Sequence, residues 1–147
     1  MLYALCSLQM KCKPNKPKIF LLTFFILFLF ATSLIPMDRE IEGLGFIFAM
    51  EPTLQNLLHI PVYMVLGILW LQVLQPHRMS GRKKLVLVFL LSSLIGIVTE
   101  LIQTTVPGRY PSLIDTTFNV MGSGLGIVLY YRLYHTSDSF IRRLVCQ

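Results

Sequence analysis

Charged residues are scarce in this chain of 147 residues, at 14% of the total, whereas a soluble globular domain carries about 25%. Hydrophobic residues make up 54% of the chain, and the mean hydropathy is +0.67. A surface with so few charges cannot face water on all sides. The composition therefore excludes a cytosolic enzyme and a disordered chain, and it predicts a membrane protein with a single domain.

Motifs of the common enzyme classes are also missing. The sequence contains no nucleophile elbow, no glycine-rich phosphate loop and no HExxH motif. Its three cysteines, Cys6, Cys12 and Cys146, match no zinc-binding spacing and suggest no disulfide framework. Any function must therefore depend on polar side chains placed among apolar segments.

Four long apolar runs are present, at residues 19–35, 57–74, 85–102 and 113–133. Each is about long enough to cross a hydrocarbon core of roughly 30 Å. They predict an all-α, polytopic four-helix transmembrane bundle over residues 19–133, with tails at 1–18 and 134–147. The first run has an alternative as a signal peptide cleaved near Ala31-Thr32-Ser33, but its length favours a span. Met10, which basic residues follow, is an alternative start of the protein.

The distribution of charge predicts the orientation of the bundle. Eleven of the 13 basic residues lie in the N-terminal tail, between the second and third runs, or near the C-terminus, and six of the seven acidic residues lie on the opposite side. Basic segments stay in the cytoplasm, so both termini are predicted to be cytoplasmic. This pattern explains the net charge of +6 without a nucleic-acid partner. The acidic segment 38–51 is either a lid or a solvated connector, and its polarity favours the connector.

Polar residues recur at helical spacing on three of the four runs, which places them on one face of each helix. At a rise of 1.5 Å per residue, the ionisable and amide groups on the three helices lie at similar depths, about 20–26 Å from the cytoplasmic side. We therefore expect one polar site near the outer surface, capped by the loop 106–112 with Arg109 over it. The polar and small residues are His59 and Tyr63; Ser92, Gly96, Glu100 and Gln103; Asp115, Asn119, Gly122 and Gly126.

Two functions fit such a site. In an enzyme, Glu100 or Asp115 would act as general base and His59 as acid or partner, while Arg109, Asn119, Gln103 and Tyr63 would hold an anionic substrate. In a binding protein, the same residues would hold a headgroup without turnover. The sequence does not decide between them, and the lack of an inverted repeat disfavours a transporter.

Structural roles are the alternative for the same residues. Ser112 and Asp115 could form a capping box, the stripes of small residues could serve close helix packing, and a buried ion pair could be purely structural. His59, Glu100 and Asp115 could ligate a divalent ion, but their spacing supports this only weakly. We therefore expect neither a metal nor another cofactor.

The spacing of these polar residues resembles that of the VanZ-like family of membrane proteins, over residues 57–129. The family pattern reads H-x-x-x-Y, E-x-x-Q, P-x-R and D-x-x-x-N, and the chain departs from it at Gln55-Asn56, where relatives often have Asp-Lys. The resemblance implies a protein of the bacterial cytoplasmic membrane with a role in the cell envelope. It also implies membrane lipids or a lipid-linked envelope intermediate as partners and a link to teicoplanin resistance, and a homo-oligomer stays open. The matching segments are His59-Ile60-Pro61-Val62-Tyr63, Glu100-Leu101-Ile102-Gln103, Pro107-Gly108-Arg109, and Asp115 with Asn119.

Overall fold

The fold is known from a computed structural model, which describes residues 16–36, 52–77, 79–109 and 112–136. All regular structure in these ranges is helical, and the predicted all-α bundle is confirmed. The predictions for the start at Met10, the cysteines and the segment 38–51 lie outside the described residues. Of the predicted tails, only residues 16–18 and 134–136 are described, and both stretches are helical. The helices are α1 (Lys16–Ser33), α2 (Pro52–Leu57), α3 (His59–Leu74), α4 (Gly81–Gln103) and α5 (Leu113–Thr136).

Three of these helices are long and apolar enough to cross a membrane, namely α1, α4 and the Leu113–Leu133 part of α5. The apolar helix α3 is shorter, at 16 residues. The second predicted span, 57–74, thus differs from the helix that forms there. It includes a break at Leu58, which separates α2 from α3.

Pro61 accounts for the position of this break. Proline has no backbone N–H, so the carbonyl of Leu57 cannot receive the usual helical hydrogen bond from the residue four positions later. Leu58 nevertheless keeps helical dihedral angles, with φ −64° and ψ −20°, and its carbonyl accepts the N–H of Val62 at 3.4 Å. As a result His59 stands at the first residue of α3.

Helices α3 and α5 form the most extensive contact of the bundle. Gly122 and Gly126 of α5 lie directly against the backbone carbonyls of Ile60 and Met64 in α3, where an added Cβ atom would collide. The stripe of small residues on α5 therefore lets the two backbones approach closely, in the manner of small residues at membrane helix interfaces. This contact sets the distance between the polar faces of α3 and α5.

Helix α1 packs on the opposite side of α3 through apolar side chains. Leu22 and Leu29 of α1 form a buried cluster with Tyr63, Leu66 and Leu69 of α3. Many other apolar side chains of α1 are exposed, including Phe20 and Phe24, as expected for a helix that faces lipid.

A buried lysine bonds to the C-terminal end of α3. The Nζ atom of Lys84 donates a hydrogen bond to the backbone carbonyl of Gln75 at 2.9 Å, and only 3% of Lys84 is exposed. A cation at the C-terminus of a helix is favoured by the helix dipole. Lys84 thus links the start of α4 to the end of α3.

Candidate functional site: a carboxylate cluster beside an amphipathic pocket

The residues predicted for the site fall into two adjoining groups that share His59. In the first group, one ligand atom from each of His59, Glu100 and Asp115 lies within 4.8 Å of the others. The second group lines a pocket between α1, α3 and α4. Both groups lie where α4 ends and α5 begins.

Glu100 occupies the last turn of α4 and is 5% exposed. Its Oε2 atom accepts the backbone N–H of Ser112 at 3.3 Å, just before the start of α5. Within the described part of the chain, its Oε1 atom has no hydrogen-bond partner. Glu100 therefore ties α4 to α5 with one oxygen and keeps the other available.

The start of α5 is capped differently from the capping box that Ser112 and Asp115 suggest. Ser112 does act at the start of α5, because its hydroxyl accepts the N–H of Ile114 at 3.1 Å. The reciprocal bond to the Ser112 N–H, however, comes from Glu100 of another helix and not from Asp115. Asp115 is 7% exposed, and its Oδ1 atom has no partner among the described residues.

Asn119 is fully buried and joins α5 to α3. Its Oδ1 atom lies 2.8 Å from Nδ1 of His59. Since an amide oxygen only accepts, this contact places the proton on Nδ1 and leaves Nε2 with a free lone pair. Gly96 of α4 makes room for Asn119, because a Cβ atom at position 96 would lie 3.0 Å from Asn119 Nδ2.

Tyr63 lies one turn after His59, and the two rings stack with centroids 6.3 Å apart. The Tyr63 hydroxyl lies 2.9 Å from Oγ1 of Thr99, and the Thr99 hydroxyl donates to the carbonyl of Gly96 at 2.8 Å. Because Thr99 has a single hydroxyl proton, Tyr63 is the donor in this pair. The chain of bonds holds the Tyr63 ring, and with it the wall of the pocket, against α4.

The pocket has a volume of about 240 Å³ and two chemically different sides. Its apolar side consists of Phe28, Leu29 and Val62, which lie about one helical turn further along α1 and α3 from the α4–α5 loop than Thr32, Ser33 and His59. The latter form its polar end with Gln103 and Arg109. Four of the predicted site residues, Tyr63, Gln103, Arg109 and His59, line this pocket. The lining residues are Phe28, Leu29, Thr32, Ser33, Leu58, His59, Val62, Tyr63, Thr99, Gln103 and Arg109.

Arg109 lines the pocket and also bonds to the end of α1, a contact that its position in the sequence does not suggest. Its Nε and Nη2 atoms donate to the carbonyls of Ile35 and Thr32 at 3.0 and 3.1 Å, at the end of α1. Burial lowers the pKa of Arg109, and the carboxyl groups of Glu100 and Asp115 oppose this shift. The guanidinium group remains charged, since arginine does not deprotonate in proteins.

Three polar residues of the pocket are not among the predicted site residues: Thr32, Ser33 and Thr99. Thr99 continues the polar stripe of α4, since it lies three residues after Gly96 and four before Gln103, and this spacing was the available signal. Thr32 and Ser33 lie at the end of α1 and gave no sign of contact with the other helices. Their part in the pocket depends on how α1 packs.

Comparison with known proteins places the chain in a family. No curated protein and no solved structure matches it. The family model described as VanZ/LLP1 matches residues 5–135, nearly the whole chain. Together with the membrane-spanning helices, this match confirms the resemblance drawn from the polar motifs, and the chain belongs to the VanZ/LLP1 family as a VanZ-like membrane protein.

Proposed function

We propose that this protein resides in the bacterial cytoplasmic membrane and binds the anionic headgroup of a lipid-linked envelope component in the pocket beside His59. The observation that carries the proposal is the division of the pocket into an apolar side and a polar end. An amphiphile has the same division.

The apolar side of the pocket suits an acyl or isoprenoid chain. Phe28 and Leu29 of α1 and Val62 of α3 line it, and α1 exposes most of its remaining apolar surface. A lipid could therefore enter from the bilayer alongside α1. Small-molecule sites commonly combine such apolar walls with a few polar groups that fix orientation.

The polar end suits a phosphate or carboxylate headgroup. Arg109 brings a permanent positive charge, and Gln103 and His59 add hydrogen-bonding groups. Arginine favours oxyanions because its planar guanidinium donates several N–H bonds in fixed directions. In the proposed complex, a headgroup oxyanion takes one face of Arg109 while α1 holds the other.

The orientation of the bundle decides which leaflet supplies the ligand. Arg82 and Lys83 are exposed at the start of α4, at the end of this helix opposite to Glu100. Basic residues mark the cytoplasmic side, so the proposal places the pocket near the outer leaflet and both termini in the cytoplasm. That location supports a role in the envelope and, by family resemblance, in teicoplanin resistance.

Acid–base catalysis on the bound component is a second candidate. It is favoured by Glu100 and Asp115, which each have one carboxylate oxygen without a hydrogen-bond partner among the described residues and each have a carboxylate oxygen within 4.8 Å of a His59 ring nitrogen. A carboxylate beside a bound substrate can act as a general base. Binding that persists in Glu100→Gln while resistance or turnover is lost would favour catalysis over binding alone.

Co-purified lipid provides the direct test of binding. The wild type, Arg109→Ala and the lipid-facing control Leu94→Ala are purified from membranes at equal amounts, and bound lipids are identified by native mass spectrometry. We expect a phosphate-bearing lipid adduct in the wild type and in Leu94→Ala, and its loss in Arg109→Ala. Equal adducts in all three proteins would contradict the proposed site.

Teicoplanin susceptibility tests the envelope role. A host that lacks the gene receives the wild type, Arg109→Ala, Glu100→Gln or Leu94→Ala at matched membrane expression. Protection by the wild type and by Leu94→Ala, but not by Arg109→Ala, is the expected pattern. If the wild type itself gives no protection, the resistance role is rejected, whereas the lipid assay still judges binding.

A further inference from the structure

We infer that His59, Glu100 and Asp115 bind one divalent transition-metal ion. One imidazole nitrogen and two carboxylate oxygens are a donor set that Zn²⁺ and similar ions accept, with a further position left open. The inference goes beyond the weak support from sequence spacing, because the three donors come from three different helices and meet only in the folded bundle.

The distances between the three donor atoms are somewhat longer than those in an occupied metal site. The three donor atoms lie within 4.8 Å of one another, while donors bound to Zn²⁺ at 2.0–2.2 Å in a tetrahedron are separated by about 3.4 Å. Small rotations of the three side chains cover such a difference. His59 is the first residue of α3, and Glu100 and Asp115 lie in the last turn of α4 and the first turn of α5.

The hydrogen bonds that hold His59 and Glu100 resemble those that hold the side chains of metal ligands. His59 donates Nδ1–H to Asn119 Oδ1 at 2.8 Å, which leaves Nε2 as the donor atom for a cation. Glu100 Oε2 accepts the Ser112 N–H at 3.3 Å, which leaves Oε1 for the ion. A metal-binding histidine nearly always donates its other ring N–H to an oxygen acceptor such as a carboxylate, a backbone carbonyl or water, and a metal-binding carboxylate is itself hydrogen-bonded. The amide oxygen of Asn119 is an acceptor of comparable kind.

The unpartnered oxygens point specifically to a cation. Glu100 and Asp115 are 5% and 7% exposed, and Oε1 and Oδ1 have no hydrogen-bond partner in the described ranges. Two buried carboxylate oxygens without hydrogen-bond partners are costly unless a cation or protons satisfy them. Arg109 acts electrostatically on both carboxyl groups, but two of its nitrogens donate to carbonyls of α1, and no described donor bonds to Glu100 Oε1 or Asp115 Oδ1. A divalent ion would satisfy both oxygens directly.

Direct metal binding tests this inference without any lipid, and hence independently of the proposed function. The full chain is purified without a histidine tag, stripped with a chelator and titrated with Zn²⁺ alone by calorimetry, with metal content measured after dialysis. The variants are Glu100→Gln, Asp115→Asn and Asn119→Ala, and the matched control is His77→Ala, which removes an exposed histidine outside the cluster.

We expect one Zn²⁺ per chain in the wild type and in His77→Ala. Removing a ligand in Glu100→Gln or Asp115→Asn should weaken affinity at least about 100-fold, and removing the outer partner in Asn119→Ala should weaken it about 10- to 100-fold. Thermal unfolding with and without Zn²⁺ provides a second readout, because only a protein that binds the ion in its folded state is stabilised by it.

Two results would overturn the inference. In one, the folded wild type binds no Zn²⁺ and gains no thermal stability from it, which means that protons neutralise the carboxylates. In the other, Glu100→Gln and Asp115→Asn bind Zn²⁺ as tightly as the wild type, which places the ion elsewhere. Each variant is first shown to elute from gel filtration at the wild-type position, so that a loss of binding is not a loss of fold.

Discussion

Glu100 Oε2 lies 3.3 Å from the backbone nitrogen of Ser112 and accepts its hydrogen bond across the turn between α4 and α5. The glutamate is thus part of the start of α5 as well as part of the polar cluster. A substitution at this position affects both the stability of the bundle and its chemistry, and the two effects can be separated by the choice of side chain.

Glu100→Ala is expected to lower the free energy of unfolding by about 1–3 kcal/mol, because the partly buried N–H of Ser112 loses its charged acceptor. Glu100→Gln keeps an oxygen acceptor of nearly the same shape and should cost less. Reversible unfolding in mixed detergent micelles measures both values. An equal loss in the two variants would show that the charge, and not the hydrogen bond, stabilises the turn.

The glycines of α5 differ in their surroundings and offer a test with an internal control. Gly122→Ala and Gly126→Ala place a methyl group against the carbonyls of Ile60 and Met64, and overpacking of this kind costs about 1–3 kcal/mol. At Gly124 an added Cβ atom meets nothing within 4 Å. Gly124→Ala should therefore be neutral or gain up to about 1 kcal/mol from helix propensity.

The same unfolding assay reports on this series. A neutral Gly126→Ala would mean that α3 and α5 are not in backbone contact in the membrane.

Lys84 and Lys83 are adjacent in sequence but differ in environment. Lys84→Met leaves the Gln75 carbonyl without its side-chain donor and should cost about 1–3 kcal/mol. Lys83 is exposed, so Lys83→Met should change stability by less than about 0.5 kcal/mol. Thermal unfolding of the two purified variants gives the comparison, and equal melting temperatures would argue against the buried hydrogen bond.

The orientation of the bundle is open to chemical labelling. Single cysteines are introduced at the exposed positions Pro107 and Arg82 in a chain whose three native cysteines are replaced by serine. A membrane-impermeant thiol reagent should label Pro107→Cys in intact cells and Arg82→Cys only after permeabilisation, since basic segments stay in the cytoplasm. The reverse result would place the pocket at the inner leaflet.

Much of the bundle follows from local patterns in the sequence. Helical spacing aligns Glu100 with Gly96 and aligns Asn119 with Asp115, so the polar faces of α4 and α5 could be predicted before the helices were placed. The low content of charged residues predicts the membrane environment from composition alone. These features depend on residues only a few positions apart.

The contacts across helices could not be predicted in the same way. The bond from Glu100 to Ser112 replaces the capping partner that the spacing of Ser112 and Asp115 suggests. The bonds from Arg109 to α1 join residues 74 and 77 positions apart, and no periodicity encodes such pairs. The break at Leu58 lies inside an apolar run that continues through it, so hydropathy does not mark it, although Pro61 is a visible sign.

Two walls of the pocket are held in different ways. The glycine contact between α3 and α5 fixes the wall that α3 forms. Because Gly122 and Gly126 press on the backbone of α3, the position of His59 does not depend on the rotamers of intervening side chains. Helix α1 is held at this end by two hydrogen bonds from Arg109. Arg109 also lines the pocket, so a ligand that binds its remaining N–H groups is held by the same residue that fixes the end of α1.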